Sequence, residues 1–255
     1  MGAPSSQAEY RTALVTGASS GIGRSLAAWL ARRGVRVYAA ARRIEALNQL
    51  QNEVGANIVP LQLDCAKADD TEARVRQLDE ECAGLDLVVA NAGIGEAITL
   101  KRIHWATIHQ MLSVNVMGTT ATLLGALPKM IERRKGHLVG ISSLSAFAAP
   151  SRLCAYAASK AYLATFLEGL EGTVREHGIH VSAIYPGYVR SEMTAVLKKA
   201  PPMMMETDDA VEAIGNAIVR RTPHYAFPWP MSFAAKTIGG LPRPISTALR
   251  DRLLR

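Results

Sequence analysis

Tyr156 and Lys160 stand four residues apart in Ala155-Tyr-Ala-Ala-Ser-Lys160. On a helix that spacing puts both side chains on one face. A phenol ordinarily ionises near pH 10, so exchanging its proton near neutrality requires lowering the pKa by roughly three units, about 4 kcal/mol. A lysine ammonium alongside supplies part of that. Upstream, Gly140-Ile-Ser-Ser143 closes an apolar run. A serine hydroxyl at such a strand end can hold a substrate oxygen while charge develops on it. Ser142 and Ser143 compete for that role, and spacing to Tyr156 favours Ser143. An isolated Tyr-x-x-x-Lys is common by chance, so the pair needs company before it means proton chemistry.

That company begins at Thr16-Gly17-Ala18-Ser19-Ser20-Gly21-Ile22-Gly23, between a predicted strand and a predicted helix. Glycines there let the backbone turn sharply and let a pyrophosphate approach, and the helix start offers free N–H groups and a positive dipole end. The spacing is GxxxGxG, not the commoner GxGxxG, and no Gly-Lys-Ser/Thr marks a nucleoside triphosphate loop. In dinucleotide folds an acidic residue ending the second strand often binds the ribose hydroxyls. Here that strand ends in Ala39-Ala-Ala-Arg42-Arg43 with no carboxylate. A guanidinium grips a 2′-phosphate through paired hydrogen bonds, which favours NADP(H) over NAD. The bland alternative is that both arginines are a solvated helix start. Asp64, after the third strand, is a candidate for the adenine amino group, with Cys65 beside it.

The elements that would position these groups alternate regularly. Strands are predicted at 12–16, 35–39, 58–61, 85–90, 137–141, 179–184 and 225–227. Helices are predicted at 25–33, 44–54, 70–82, 105–131, 156–177 and 208–220. Alternating strands and helices imply an α/β fold with a parallel sheet covered on both faces, whose short strands need no polar alternation. No Pro/Gly/Ser linker divides the chain, so residues 1–255 read as a single domain. The segment 223–255 breaks the rhythm and reads as an appendage.

The chain has 255 residues and a net charge of +7. The charge is uneven: from Val219 onward seven basic residues face only Asp251. A basic tail can favour anionic surfaces or keep a protein soluble. Its aromatics are not interleaved with its charges, which argues against nucleic acid. Cys65, Cys82 and Cys154 form no CxxC and no metal-like spacing, so they read as free thiols, and no metal is expected. The first ten residues lack a charged start followed by an apolar stretch, and no run of about 18 apolar residues suggests a spanning helix. The expected location is the cytoplasm.

With these motifs assembled, the sequence resembles the short-chain dehydrogenase/reductase family. TGASSGIG, Asn91-Ala92-Gly93, Ser143, Tyr156-Ala-Ala-Ser-Lys160 and Pro186-Gly187 follow that family's order and spacing over about 11–221. The resemblance implies a Rossmann-type, doubly wound parallel sheet of about seven strands with helices on both faces. It implies an oxidoreductase moving hydride between NADP(H) and a carbonyl or secondary alcohol. It makes Tyr156 the acid/base, and Lys160 the group that lowers its pKa and binds the nicotinamide ribose. Ser143 would orient the substrate oxygen, and Asn115 would support a water chain behind Lys160. Asn91, Ala92 and Gly93 would pass the adenine-side ribose; Pro186, Gly187 and Val189 would meet the nicotinamide, and Ser191 stands where the family often has threonine. Relatives are often homodimers or homotetramers, joined by the helices that hold Asn115 and Tyr156. The direction of reaction is left open.

By the same resemblance, the stretch 188–208 should cover the substrate, as it does in relatives. It holds Tyr188, Met193, Val196, Leu197 and Pro201-Pro-Met-Met-Met205. Methionines adapt to irregular apolar shapes. The expected substrate is therefore bulky, apolar and lipid-like, against the alternative of a lid packed on its own core. Three readings compete for the C-terminal segment: peripheral membrane contact, a subunit interface, and a lid edge. The other class of function is a non-catalytic NADP(H)-sensing protein on the same fold.

Overall fold

The computed structural model describes residues 10–95, 103–150, 153–195, 201, 203–242, 244–246 and 249. Its centre is a seven-stranded parallel sheet in the order β3-β2-β1-β4-β5-β6-β7. The strands are β1 (Thr12–Thr16), β2 (Arg36–Ala41), β3 (Ile58–Gln62), β4 (Leu87–Ala90), β5 (Gly136–Ile141), β6 (Ile179–Pro186) and β7 (His224–Phe227). Every residue of β4 and β5 is buried, as expected of strands covered on both faces. Pro60 sits in β3, an edge strand, where its missing N–H costs least.

The helices are α1 (Gly21–Ala31), α2 (Ile44–Val54), α3 (Ala68–Glu81), α4 (Trp105–Leu112), α5 (Thr119–Glu132), α6 (Cys154–Val174), α7 (Thr207–Val219) and α8 (Trp229–Gly240). On one face, Leu26 and Leu30 of α1, Leu47 and Leu50 of α2 and Ile214 of α7 close the first core. On the other, Val75 of α3, Leu123 and Met130 of α5 and Leu163 of α6 close the second. Chain order reverses between β1 and β4, which opens a crevice at the strand C-termini where such folds bind ligands.

Several boundaries differ from the sequence reading. α1 starts at Gly21, four residues before the predicted start, because the glycine turn runs straight into it. β2 continues to Ala41, since its alanines pair with β3. The predicted helix 105–131 is interrupted by a π-helical turn, Ser113–Gly118. The run Trp105–Glu132 is long and apolar enough to cross a membrane by composition, yet more than half of its apolar 18-residue stretch is buried inside the protein. β7 is a full member of the sheet, so the segment beginning at 223 enters the fold before it departs from it. Beyond β7 the chain forms α8, with Pro230 in its first turn where no N–H partner is needed.

Candidate active site

The site begins where β1 ends. Gly17 adopts φ +68°, and a Cβ there would lie 2.8 Å from the Ala92 Cα. A Cβ on Gly23 would lie 2.4 Å from both Asn91 Nδ2 and the Gly17 carbonyl oxygen. Only hydrogen fits at either place. Asn91 Nδ2 donates to the Thr16 carbonyl at 2.8 Å, and Thr16 Oγ1 accepts from the N–H groups of Asn91 and Ala92 at 3.1 Å each. Asn91 thereby ties the end of β4 to the turn. Among the described residues no side chain caps the first turn of α1, and that turn carries no acidic residue, which leaves its N–H groups and dipole free for an anion. These features fit a dinucleotide pyrophosphate.

Where the adenine end of a dinucleotide is expected, Arg42 and Arg43 are exposed just after β2. Arg43 donates from Nε and Nη2 to Ser19 Oγ at 3.3 and 3.1 Å. Asp64 Oδ1 accepts from the Ala66 N–H at 3.1 Å, a local turn that fixes the carboxylate after β3. Cys65 is buried, and burial pushes its thiol up to about 11. With its side chain in the core, Cys65 has only its backbone to offer a nucleotide.

The candidate reacting groups come from β5 and α6. Ser142 is buried and its hydroxyl donates to the Lys160 carbonyl at 2.8 Å, so it is occupied in holding α6 to β5. Ser143 caps the short 3₁₀ turn Leu144–Ala146, with Oγ accepting from the Ser145 N–H at 3.2 Å, and it hydrogen-bonds to Tyr156. That pairing separates the two serines. Burial raises the Tyr156 pKa above the ordinary phenol value; the Ser143 bond pulls it down, and the neighbouring Tyr188 pushes it up.

Lys160 is buried, with Nζ donating to the Ile141 carbonyl at 2.8 Å and lying 5.7 Å from the centre of the Tyr156 ring. Burial lowers its pKa to about 8. The Ser143 hydrogen bond favours the phenolate. A positively charged nicotinamide ring is the further charge able to bring Tyr156 toward neutrality.

The π-helical turn explains Asn115. Such turns place one extra residue in a helix and concentrate at functional sites. Asn115 Oδ1 accepts from the Ile94 N–H, and Nδ2 donates to the Ile94 carbonyl, each at 2.8 Å. Nδ2 also donates to Ser159 Oγ at 3.0 Å, and Ser159 donates to the Tyr156 carbonyl at 2.7 Å. Asn115 thus joins the strand following β4 to the helix that carries Tyr156 and Lys160. Gly93 lies against this group, since a Cβ there would sit 3.2 Å from Lys160 Nζ.

The far wall follows β6. Pro186 ends that strand, and the Gly187 N–H donates to the Phe227 carbonyl at 2.7 Å. Val189 is buried and bridges Met205, while the Ser191 N–H is held by Thr194 Oγ1 at 2.9 Å. Met193 lies near Tyr156: a Cβ on Gly95 would be 3.1 Å from its Sδ and 3.2 Å from the Tyr156 ring. Tyr188 is half-buried beside them. Val196 and Leu197 lie outside the described residues.

Sequence reading passed over Ser159, Thr194, Met231 and Glu192. Ser159 sits inside the Tyr-x-x-x-Lys motif, and only the helix register shows that it faces Asn115. Met231 lies in α8, and its Sδ would be 2.8 Å from a Cβ on Gly187. No local pattern in the chain links those two residues.

Comparison with known proteins agrees with this geometry. The short chain dehydrogenase family model matches residues 11–202, and the chain belongs to that family. An uncharacterized oxidoreductase of Myxococcus xanthus (strain DK1622) is 50% identical over 96% of this chain and 98% of its own. A short chain dehydrogenase from Burkholderia cenocepacia J2315, solved in complex with NADP, is 26% identical with a TM-score of 0.81, covering 98% of this chain and 99% of that one. The bulky-bulky ketone specific alcohol dehydrogenase from Comamonas testosteroni is 26% identical with a TM-score of 0.74, covering 85% of each chain. The protein is an oxidoreductase that uses a nicotinamide cofactor.

Proposed function

We propose that this enzyme interconverts a bulky, apolar carbonyl compound and its secondary alcohol using NADP(H). The observation that carries the reading is the meeting of Ser143, Tyr156 and Lys160 beside a glycine turn whose neighbouring strand, β2, runs into Arg42 and Arg43 with no carboxylate at its end. A 2′-phosphate is the ribose substituent that a guanidinium recognises best. The Burkholderia relative was solved with NADP, which supports the same choice.

The nicotinamide group supplies or accepts the hydride when bound. The side chains do the rest. The phosphate turn and the start of α1 hold the pyrophosphate. Ser143 and Tyr156 hold the substrate oxygen from one side. In reduction Tyr156 gives its proton to that oxygen, and in oxidation it takes the proton back. Lys160, fixed by Ile141, holds positive charge near the phenol, and Asn115 keeps α6 in place through Ser159.

Substrate size is argued from Met193 and Tyr188, which put apolar and aromatic surface beside Tyr156, and from Met231 against Gly187. The name of the Comamonas relative supports a bulky ketone. The decisive experiment follows NADPH oxidation with a ketone panel graded from small and polar to large and apolar. Turnover should rise with apolar bulk and vanish in Tyr156→Phe, while NADPH binding persists. Equal turnover of small polar ketones would overturn the substrate reading, and activity retained in Tyr156→Phe would overturn the role of Tyr156.

The working form we propose is a cytoplasmic homo-oligomer that meets membranes peripherally. Trp105, Met117 and Tyr162 are exposed on α4, the π turn and α6, an apolar face suited to a second copy. Trp229 and Phe233 stack on the exposed side of α8 at 5.9 Å, ahead of the basic C-terminal residues, a combination suited to an anionic lipid surface.

A further inference from the structure

Arg43 and Glu192 belong to opposite walls of the cofactor crevice. Arg43 precedes α2 on the adenine side, and Glu192 follows β6 in the loop that also carries Ser191 and Met193. Arg43 Nη2 lies 3.0 Å from the Glu192 carboxylate, while the same guanidinium reaches Ser19 Oγ. The carboxylate also accepts a hydrogen bond from Ser20. Beneath this contact the loop rests on the phosphate turn, for a Cβ on Gly21 would come 3.2 Å from the Ser191 Cβ. The two walls are therefore strapped together at the turn, by the cation that would read a 2′-phosphate.

We propose that Glu192 is a specificity-determining residue, whose carboxylate holds Arg43 across the crevice and gives it up to the 2′-phosphate of an entering NADP(H). The proposal rests on the NADP(H) reading above. One guanidinium fork serves one bidentate anion well, and a carboxylate and a phosphate around it repel each other. A dinucleotide without the 2′-phosphate has nothing with which to displace Glu192, so it leaves the strap closed. Entry of the phosphorylated cofactor frees the loop bearing Ser191 and Met193, which couples cofactor identity to opening of the substrate side. Both side chains of the pair are more than half exposed, so the effect is modest. An ion pair of that kind changes an affinity by about two- to fivefold.

The test is a titration of the free enzyme with NADPH and with NADH, followed by quenching of tryptophan fluorescence, in four forms: wild type, Glu192→Gln, Arg43→Leu and the double variant. Glu192→Gln should raise the preference for NADPH over NADH by about two- to fivefold. In the Arg43→Leu background the same substitution should leave that preference unchanged. A preference that is unchanged or lowered by Glu192→Gln overturns the proposal. So does an equal increase with and without Arg43, which would mean that Glu192 merely repels phosphates at a distance. Failure of the NADP(H) reading has its own signature: Arg43→Leu, with Glu192 intact, would then leave the wild-type preference where it was.

Discussion

Lys160 is the residue whose replacement should stabilise the protein while disabling it. Burial takes its ammonium from an ordinary pKa of 10.5 to about 8. The unfolded chain therefore binds a proton more readily than the native protein between pH 8 and 10.5. Stability attributable to this group is unimpaired above 10.5, declines as the pH falls toward 8, and stays reduced below 8. At pH 7 the cost is about 3 kcal/mol, since each pH unit separating the folded and unfolded values is worth about 1.4 kcal/mol.

Lys160→Met keeps the stem and removes the charge. It also removes the bond from Nζ to the Ile141 carbonyl, and a hydrogen bond from a charged group is worth about 1.5–3 kcal/mol. The variant should come out more stable than wild type by about 1 kcal/mol at pH 7. Urea denaturation at pH 7 and at pH 10 measures both states. The advantage should shrink or reverse at pH 10, where wild type no longer has to bury an ammonium. Turnover should fall by at least about a hundredfold, the usual worth of positioned acid–base catalysis. A variant that is several kcal/mol less stable at pH 7, or a stability difference that does not move with pH, would refute the argument.

Three further outcomes follow from other parts of the structure. His137 is buried between Tyr10 and Ser182, each 2.8 Å from a ring nitrogen, and Tyr10 donates to the Ile218 carbonyl, which leaves Nδ1–H as the donor to Tyr10. Burial takes its pKa down to about 3; the native state resists protonation from pH 6.5 downward, so wild type should lose about 1.4 kcal/mol per pH unit between 6.5 and 3, and His137→Gln should show a shallower acid slope in denaturant titrations. Gly23→Ala drives a methyl into Asn91 and the Gly17 carbonyl, and should cost about 1–3 kcal/mol and weaken NADPH binding, read by thermal melts with and without cofactor. Trp229→Ser with Phe233→Ser should abolish co-sedimentation with anionic vesicles and leave turnover of a soluble ketone intact; unchanged sedimentation would remove α8 as the contact.

The chain on its own determined the alternation of strands and helices, because buried parallel strands are apolar runs and their covering helices are amphipathic. It also carried the signals for the chemistry: Tyr156 and Lys160 share a helix face by spacing, and the glycines from Gly17 to Gly23 mark a tight turn running into a helix. It did not determine which serine pairs with Tyr156, since Ser142 and Ser143 differ only in which way a strand end points, and the Lys160 carbonyl had to be in place to claim the first. The π turn at Asn115 was equally hidden, for one extra residue in a helix leaves the apolar pattern nearly unchanged. Glu192 and Met231 gained meaning only when folding brought the loop after β6 to the phosphate turn and α8 to Gly187. Contacts between residues far apart in sequence depend on how the layers pack, and no local spacing encodes them.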